Sequence, residues 1–346
     1  MATLNQQQQE AQLRKAGIKV EQNVDVSFDE IDSFGNKESI LEMFKNVAGY
    51  NKMLGQRITL INDSLTAAIP FTRENLYLFC AYTGSGKSTV AANISYPLWK
   101  QGKKVLVISN EETKQDVLFR IACLELGFEF NAYKKGTMPQ DMQRACLMLF
   151  PDISKYVKVL DVTWREGMTT KIEGVKKALE AVKGNDYSCV LIDYYQLIKY
   201  SLTDTTRTTY DVLNDLRTWI GQYIKSSEIP VCMFIQLYSL GKRGGVKDID
   251  ARIKECSAIV EPATVIIEVV PNYEEKTSSF IIHKDRFGVA GNQIVCPFEK
   301  GRYLKALDES QLIVRRNELK TAKAEQTLNE LQNTMSTAPV VNKDAI

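Results

Sequence analysis

Ala81 to Thr89 reads AYTGSGKST, and these side chains in this order can hold a polyphosphate. The ammonium of Lys87 is placed to reach β- and γ-phosphoryl oxygens, and the Ser88 hydroxyl to meet a Mg²⁺ that bridges them. Gly84 and Gly86 let the main chain approach without a Cβ in the way. Ser85 and Thr89 complete a loop whose backbone N–H groups, with the positive end of a helix dipole, face the ligand. The usual pattern, G-x-x-x-x-G-K-Ser/Thr, opens on Gly, and this chain has the small residue Ala81 there. Such a motif has meaning only between a strand and a helix. The apolar run Leu76 to Cys80 precedes it and the amphipathic stretch Val90 to Trp99 follows, so the chain is expected to bind a nucleoside triphosphate. Pro97 predicts that the helix kinks or stops near Tyr96.

Hydrolysis of a bound triphosphate needs three further groups: a carboxylate on the metal side, a group that activates water and a donor for charge developing in the transition state. Asp193 closes the run CVLID, where a carboxylate holds a metal through its water shell. Glu111 and Glu112 follow VLVIS; adjacent acids point in different directions, so one serves as base and the other is a helix N-terminal acid favoured by the macrodipole. Gln236 closes VCMFIQ, and its amide can donate to a γ-phosphoryl oxygen or the attacking water. The segment SLGKRGGVKD comes next, with Lys242, Arg243 and Lys247 around three glycines. It reads either as a charged surface turn or as flexible backbone suited to following nucleic-acid phosphates. In HKDRFG, from His283, the residues Lys284 and Arg286 are two apart and point to one side of an extended chain, able to reach one anionic group together. His283, the single histidine, points the other way and reads as a packed strand residue.

Seven apolar runs (LYLFC, VLVIS, VKVL, CVLID, VCMFI, TVIIEVV and SFIIH) supply the strands that carry these groups. Helical stretches separate the first of them and shorter connections the last. That order predicts an α/β fold with a mostly parallel central sheet flanked by helices, the strand C-terminal ends lining the ligand crevice. Residues 1–50 are polar and helix-prone, with sparse anchors such as Ile40, Leu41, Met43 and Phe44, and read as an arm or linker helix. Residues 51–305 form the expected ATPase domain. Residues 306–346 hold a charged helical segment, Glu309 to Leu331, and a tail of small and polar residues.

In 346 residues, 44 basic and 42 acidic side chains leave a net charge of +2, so any nucleic-acid contact comes from local clusters rather than a global field. Cys80, Cys123, Cys146, Cys189, Cys232, Cys256 and Cys296 lie mostly in apolar runs without a C-x-x-C pair, which reads as buried thiols in a reducing compartment and not as a zinc or disulfide framework. The N-terminus lacks the features of a signal peptide, and no apolar run approaches the roughly 20 residues of a membrane span. A cytoplasmic protein is expected.

The pieces in this order closely resemble the motor domain of DnaB-type hexameric replicative helicases, a RecA-like P-loop NTPase family with phage members. The resemblance is most specific at IDYYQLI, Ile192 to Ile198, and extends to SNEE at 109–112, FIQL at 234–237, KECSAI at 254–259 and the K-x-R of Lys284 and Arg286. It implies ATP and Mg²⁺, Glu111 as catalytic base, Gln236 as γ-phosphate sensor, and Lys284 with Arg286 supplied in trans, Arg286 as arginine finger. It further implies a homo-hexameric ring that travels 5′ to 3′ on single-stranded DNA, with DNA-facing loops near 200–209 and 239–248. Primase, polymerase or a helicase loader are the implied partners. The family's bacterial members carry a separate N-terminal helical domain and some phage members a primase. About 50 residues before the motor suit neither, so a phage-type motor in the host cytoplasm is the expectation. A filament-forming RecA-type recombinase and a nucleotide-gated scaffold ring are the alternatives; IDYYQLI and K-x-R speak against the first, the intact Lys87, Glu111, Asp193 and Arg286 against the second.

Overall fold

The computed structural model describes residues 59–69, 71–199, 208–238, 249–253, 257–286, 288 and 290–336. The chain divides into two compact units, Met1–Gln56 and Arg57–Ile346, and the described residues belong to the second. The expected N-terminal arm, residues 1–50, lies outside them, as do Cys256 and the tail beyond 336.

After a short helix α1 (Asp63–Ala68), the chain alternates strand and helix: β1 (Leu76–Ala81), α2 (Lys87–Lys100), β2 (Lys104–Ser109), α3 (Lys114–Leu126), α4 (Phe130–Lys134), α5 (Gln140–Tyr156), β3 (Val157–Leu160), α6 (Ile172–Val182), β4 (Tyr187–Asp193), α7 (Thr209–Ser227) and β5 (Val231–Gln236). Four strands follow without helices between them: β6 (Val265–Asn272), β7 (Thr277–Asp285), β8 (Gln293–Glu299) and β9 (Arg302–Tyr303). Helix α8 (Glu309–Ser336) ends the described chain. The strands form one sheet in the order β3-β2-β4-β5-β1-β6-β7-β8-β9, parallel from β3 to β6 and antiparallel beyond. All seven strands read from the sequence are present, and the mostly parallel sheet is as expected.

Strand β1 is buried along its whole length, and its side chains alternate between two cores. Tyr77 and Phe79 join α2, α3 and α5 on one face; Leu76, Leu78 and Cys80 join α6 and α7 on the other. Burial on both faces is why these strands read as unbroken apolar runs instead of alternating ones. The six cysteines among the described residues are all buried free thiols, as expected. No described helix is long and apolar enough to cross a membrane.

Two features differ from the reading of the sequence. Helix α2 does not stop at Tyr96 but runs through Pro97 to Lys100. Pro97 lies in the last turn, so the ring costs one hydrogen bond near the end, and the N–H of Gln101 closes the helix on the carbonyls of Pro97 and Leu98. Strands β8 and β9 carry no clear signal, because Pro297 inside QIVCPFE argues against a strand. The Phe298 N–H bonds to the Lys276 carbonyl on the β7 side, whereas the Pro297 carbonyl accepts from Leu304 on the other. An N–H at 297 would point to that second side too, so its absence breaks no ladder bond to β7.

The hairpin of β8 and β9 is fastened to α2 by Asn93, which is buried. Its amide donates to the Gly301 carbonyl at 2.8 Å, and its oxygen accepts from the Tyr303 N–H at 3.2 Å. Arg302 adds a hydrogen bond to the Tyr96 hydroxyl at 2.6 Å.

Candidate active site

Between the end of β1 and the start of α2 the chain turns through Tyr82 to Gly86, with the Ser85 N–H bonded to the Tyr82 carbonyl at 3.1 Å. Gly84 and Gly86 have φ of 75° and 88°, a backbone that side chains rarely adopt. Gly86 is also the N-cap of α2, and no side chain caps it. The first N–H groups of a helix have no partner within it, so those of α2 open onto the adjoining cavity. Ala81 needs no glycine: it is the last residue of β1, buried, in register with Gln236, and its carbonyl accepts from Leu237 at 3.0 Å.

The cavity has a volume of about 1050 Å³ and is lined by Thr83 to Thr89, with Glu111, Tyr194 and Gln236 among its other walls. Lys87 is buried, its Nζ 5.3 Å from the centroid of the Tyr194 ring. Burial pulls the Lys87 pKa down, and the charges of Asp193 and Glu111 oppose that pull.

Asp193 is buried at the end of β4, beneath the loop. Burial pushes its carboxyl up to about 6 against the hydrogen bond from Ser88 and the charge of Lys87, while Glu112 and Glu111 push the same way as burial. Its Oδ1 is buried with no hydrogen-bond partner. A carboxylate held beside the Ser88 hydroxyl with one unsatisfied oxygen fits a Mg²⁺ site, since a cation with its water shell would supply the missing partner and offset the buried charge. Ser88 and Asp193 are the residues that would hold it.

The two adjacent acids after β2 have different surroundings. Glu112 forms an ion pair with Arg120 of α3, and Arg120 also reaches Thr89 Oγ1 at 3.4 Å and lies over the Phe130 ring. Glu111 lines the cavity. Of the two, Glu111 is therefore the carboxylate that meets a bound ligand.

Gln236, at the end of β5, donates from Nε2 to Thr83 Oγ1 at 2.6 Å, across the mouth of the phosphate loop. Its backbone is gripped twice by Gln196, whose Oε1 accepts from the Gln236 N–H at 3.1 Å and whose Nε2 donates to its carbonyl at 2.9 Å. The ends of β1, β4 and β5 and the turn after β2 thus bring together Lys87, Ser88, Asp193, Glu111 and Gln236.

Lys284 and Arg286 are not among the residues that line this cavity. They point to one side, as their spacing predicts: Lys284 Nζ donates to the carbonyls of Val260 at 2.8 Å and Glu261 at 3.3 Å, and Arg286 Nη2 to that of Glu261 at 2.8 Å. His283 points elsewhere, with Nε2 2.8 Å from Glu268. Lys242, Arg243 and Lys247 lie outside the described residues, as do Lys254 to Cys256 of KECSAI and most of the segment 200–209.

Three wall or support residues escaped the sequence reading. Gln196 had a signal, since it stands inside IDYYQLI, yet its grip on another strand is a tertiary fact. Arg120 stands eight residues beyond Glu112, and only the turn of the chain into α3 brings them together. Tyr303, whose hydroxyl lies where a Cβ on Gly86 would meet it at 3.4 Å, sits on β9, an element without a sequence signal.

The model of the DnaB-like helicase C-terminal domain family matches residues 63–303. Among solved structures, that of a separate ATPase domain aligns with a TM-score of 0.62 and 17% identity, covering 79% of this chain and 100% of that one. The structure of a DnaB-like replicative helicase and its interactions with primase aligns with a TM-score of 0.60 and 16% identity, covering 80% of this chain and 68% of that one. At these identities the two structures share the fold. A search of curated protein sequences gave no match.

The Asp193 environment predicts a pH-dependent stability. An acid whose folded pKa lies above its unfolded value contributes most when protonated, so the Asp193 contribution is complete below 3.8 and lost as pH rises through about 6. That span corresponds to about 3 kcal/mol. In urea unfolding with a chelator present, Asp193→Asn is expected to be about 2 to 3 kcal/mol more stable than wild type at pH 7.5, and the advantage to fall to about half by pH 5. A difference that does not change with pH would overturn this account of the carboxyl.

Proposed function

This chain belongs to the DnaB-like helicase C-terminal domain family, and on that premise we propose that it is an ATP-driven motor of replication. It travels 5′ to 3′ on single-stranded DNA as a hexameric ring and separates the strands of a duplex. The observation that carries the reading is a split. Lys87, Ser88, Asp193, Glu111 and Gln236 gather at one cavity, while Lys284 and Arg286 stand clear of it on the end of β7 and the turn that follows. A site that lacks its arginines in one chain is completed by a neighbour in a ring.

In this reading the uncapped N–H groups of α2 and the Lys87 ammonium hold the β- and γ-phosphates of ATP. When bound, Mg²⁺ neutralises charge on the phosphoryl oxygens, with Ser88 and Asp193 as the residues that hold it. Glu111 takes the proton of the water that attacks the γ-phosphorus, and Glu112 stays with Arg120. Gln236 exchanges its bond to Thr83 for one to the γ-phosphoryl group or the attacking water. Loss of that group on hydrolysis is reported to the segment that begins at residue 239, where Lys242, Arg243 and Lys247 follow the DNA backbone. Arg286 and Lys284 of the neighbouring subunit meet the charge that develops on the phosphoryl oxygens. Primase, polymerase and a loader are the partners this role calls for.

Strand displacement on forked duplexes tests the reading directly. The wild type with ATP is expected to displace strands from forks with a free 5′ tail, and Lys87→Ala to displace none. Displacement that requires a 3′ tail instead would overturn the direction, and none on either fork, loader included, would overturn the helicase.

Arg286→Ala is expected to bind nucleotide normally and to lower kcat by about a thousandfold or more. Mixing Arg286→Ala with Lys87→Ala subunits should restore partial hydrolysis, because some interfaces then pair an intact loop with an intact finger. Normal turnover by Arg286→Ala alone would sink its role. Lys242→Ala combined with Arg243→Ala should weaken single-stranded DNA binding and lower the slope of log K against log salt by about 1 to 1.5. An unchanged slope would return that segment to a surface turn.

A further inference from the structure

A buried ion network outside the cavity joins three parts of the fold. Glu268 lies within β6 at the position paired with Cys80 of β1, and its side chain is 5% exposed. Arg252 engages both of its oxygens, with Nη1 2.9 Å from Oε2 and Nη2 against Oε1, and His283 Nε2 lies 2.8 Å from Oε2. Burial pushes the Glu268 carboxyl up, but the hydrogen bonds from His283 and Arg252 outweigh it and hold the group below the usual range. Arg252 Nη2 also donates to the Tyr82 hydroxyl at 3.0 Å, and the guanidinium lies 5.4 Å from the centroid of that ring. Tyr82 is the residue after Ala81, and its carbonyl holds the phosphate-loop turn at Ser85.

The backbone of Arg252 makes a second connection. Its carbonyl accepts from the Tyr238 N–H at 2.8 Å, and Leu237 forms an antiparallel bridge with Ile253. The chain leaving β5 after Gln236 and the chain returning through the turn Asp250–Arg252 are therefore clasped together, and residues 239–248 run from one to the other. A single residue thus fastens these two ends through its main chain and the phosphate loop through its guanidinium. Burial of an ion pair gives no general gain in stability over apolar side chains, whereas the planar, bidentate fork of an arginine fixes orientation.

We propose that Arg252 is a positioning residue for turnover, which carries displacement of the ends of segment 239–248, on binding of single-stranded DNA, through Glu268 and Tyr82 to the phosphate loop. The inference rests on the proposed DNA-facing role of that segment. The test is ATP hydrolysis without and with saturating oligodeoxythymidylate, together with oligonucleotide affinity and thermal stability, for wild type and two variants. Arg252→Lys keeps the charge and loses the fork. Arg252→Met with Glu268→Gln removes both charges, leaving no orphan, and serves if the first variant does not fold. Each is expected to keep oligonucleotide affinity and basal kcat within about twofold of wild type and to lose at least about fivefold of the stimulation by DNA. Stimulation equal to that of wild type in a folded variant, or a loss of basal and stimulated turnover in equal proportion, would overturn the inference alone and leave the network a structural one. A wild type whose turnover does not respond to DNA would overturn the reading of the segment, and the inference with it.

Discussion

Helix α2 starts at Lys87 with no side-chain cap, at the end of a strand that is buried on both faces. Orphan N–H groups at the foot of a helix are a cost in an empty protein and an anchor for an anion. Two left-handed glycines hold the loop open at that point, and β1 cannot shift to relieve it, because Tyr77 and Phe79 are locked in one core and Leu78 and Cys80 in the other. The remaining groups are arranged around this fixed point. β4 and β5 lie side by side and β1 pairs with β5, so Asp193 and Gln236 end at the level of the loop.

Charge in the site is sorted by partner. Glu112 is neutralised by Arg120, and Glu111, one residue earlier, is left to the cavity. Asp193 and Lys87 are both buried, and each lowers the penalty that burial sets on the other. Both are driven toward their neutral forms in the bare protein, and a magnesium nucleotide would reverse the drive on both, since it brings positive charge to the carboxylate and negative charge to the ammonium. Binding and the ionisation of these two residues are thus linked, and the site reaches its working charge state only when filled.

The core of the fold was legible because its strands are buried on both faces and stand out as unbroken runs. The site was legible where chemistry restricts the residue to few types, as at Lys87, Ser88 and Asp193, and where a whole run such as IDYYQLI narrows the family. Interactions set by tertiary approach were not legible: SNEE offers two acids and only the return of α3 with Arg120 distinguishes them. Gln196 shows no purpose until β5 lies beside it. The helix through Pro97 was misread because a proline's cost depends on how much helix lies beyond it, and here only one turn does. β8 was missed because the face toward which Pro297 lacks its N–H is a property of pairing.

Asn93 joins α2 to the β8–β9 hairpin through its amide and the Tyr303 N–H, and Arg302 adds the bond to Tyr96. Helix, hairpin and the strands behind them therefore move as one block. Such a block has no hinge of its own, and a force applied at the phosphate loop is not dissipated by bending α2. In mechanical terms the loop is mounted on a stiff chassis, and whatever stroke accompanies a change of ligand has to be taken up where the chain leaves the sheet.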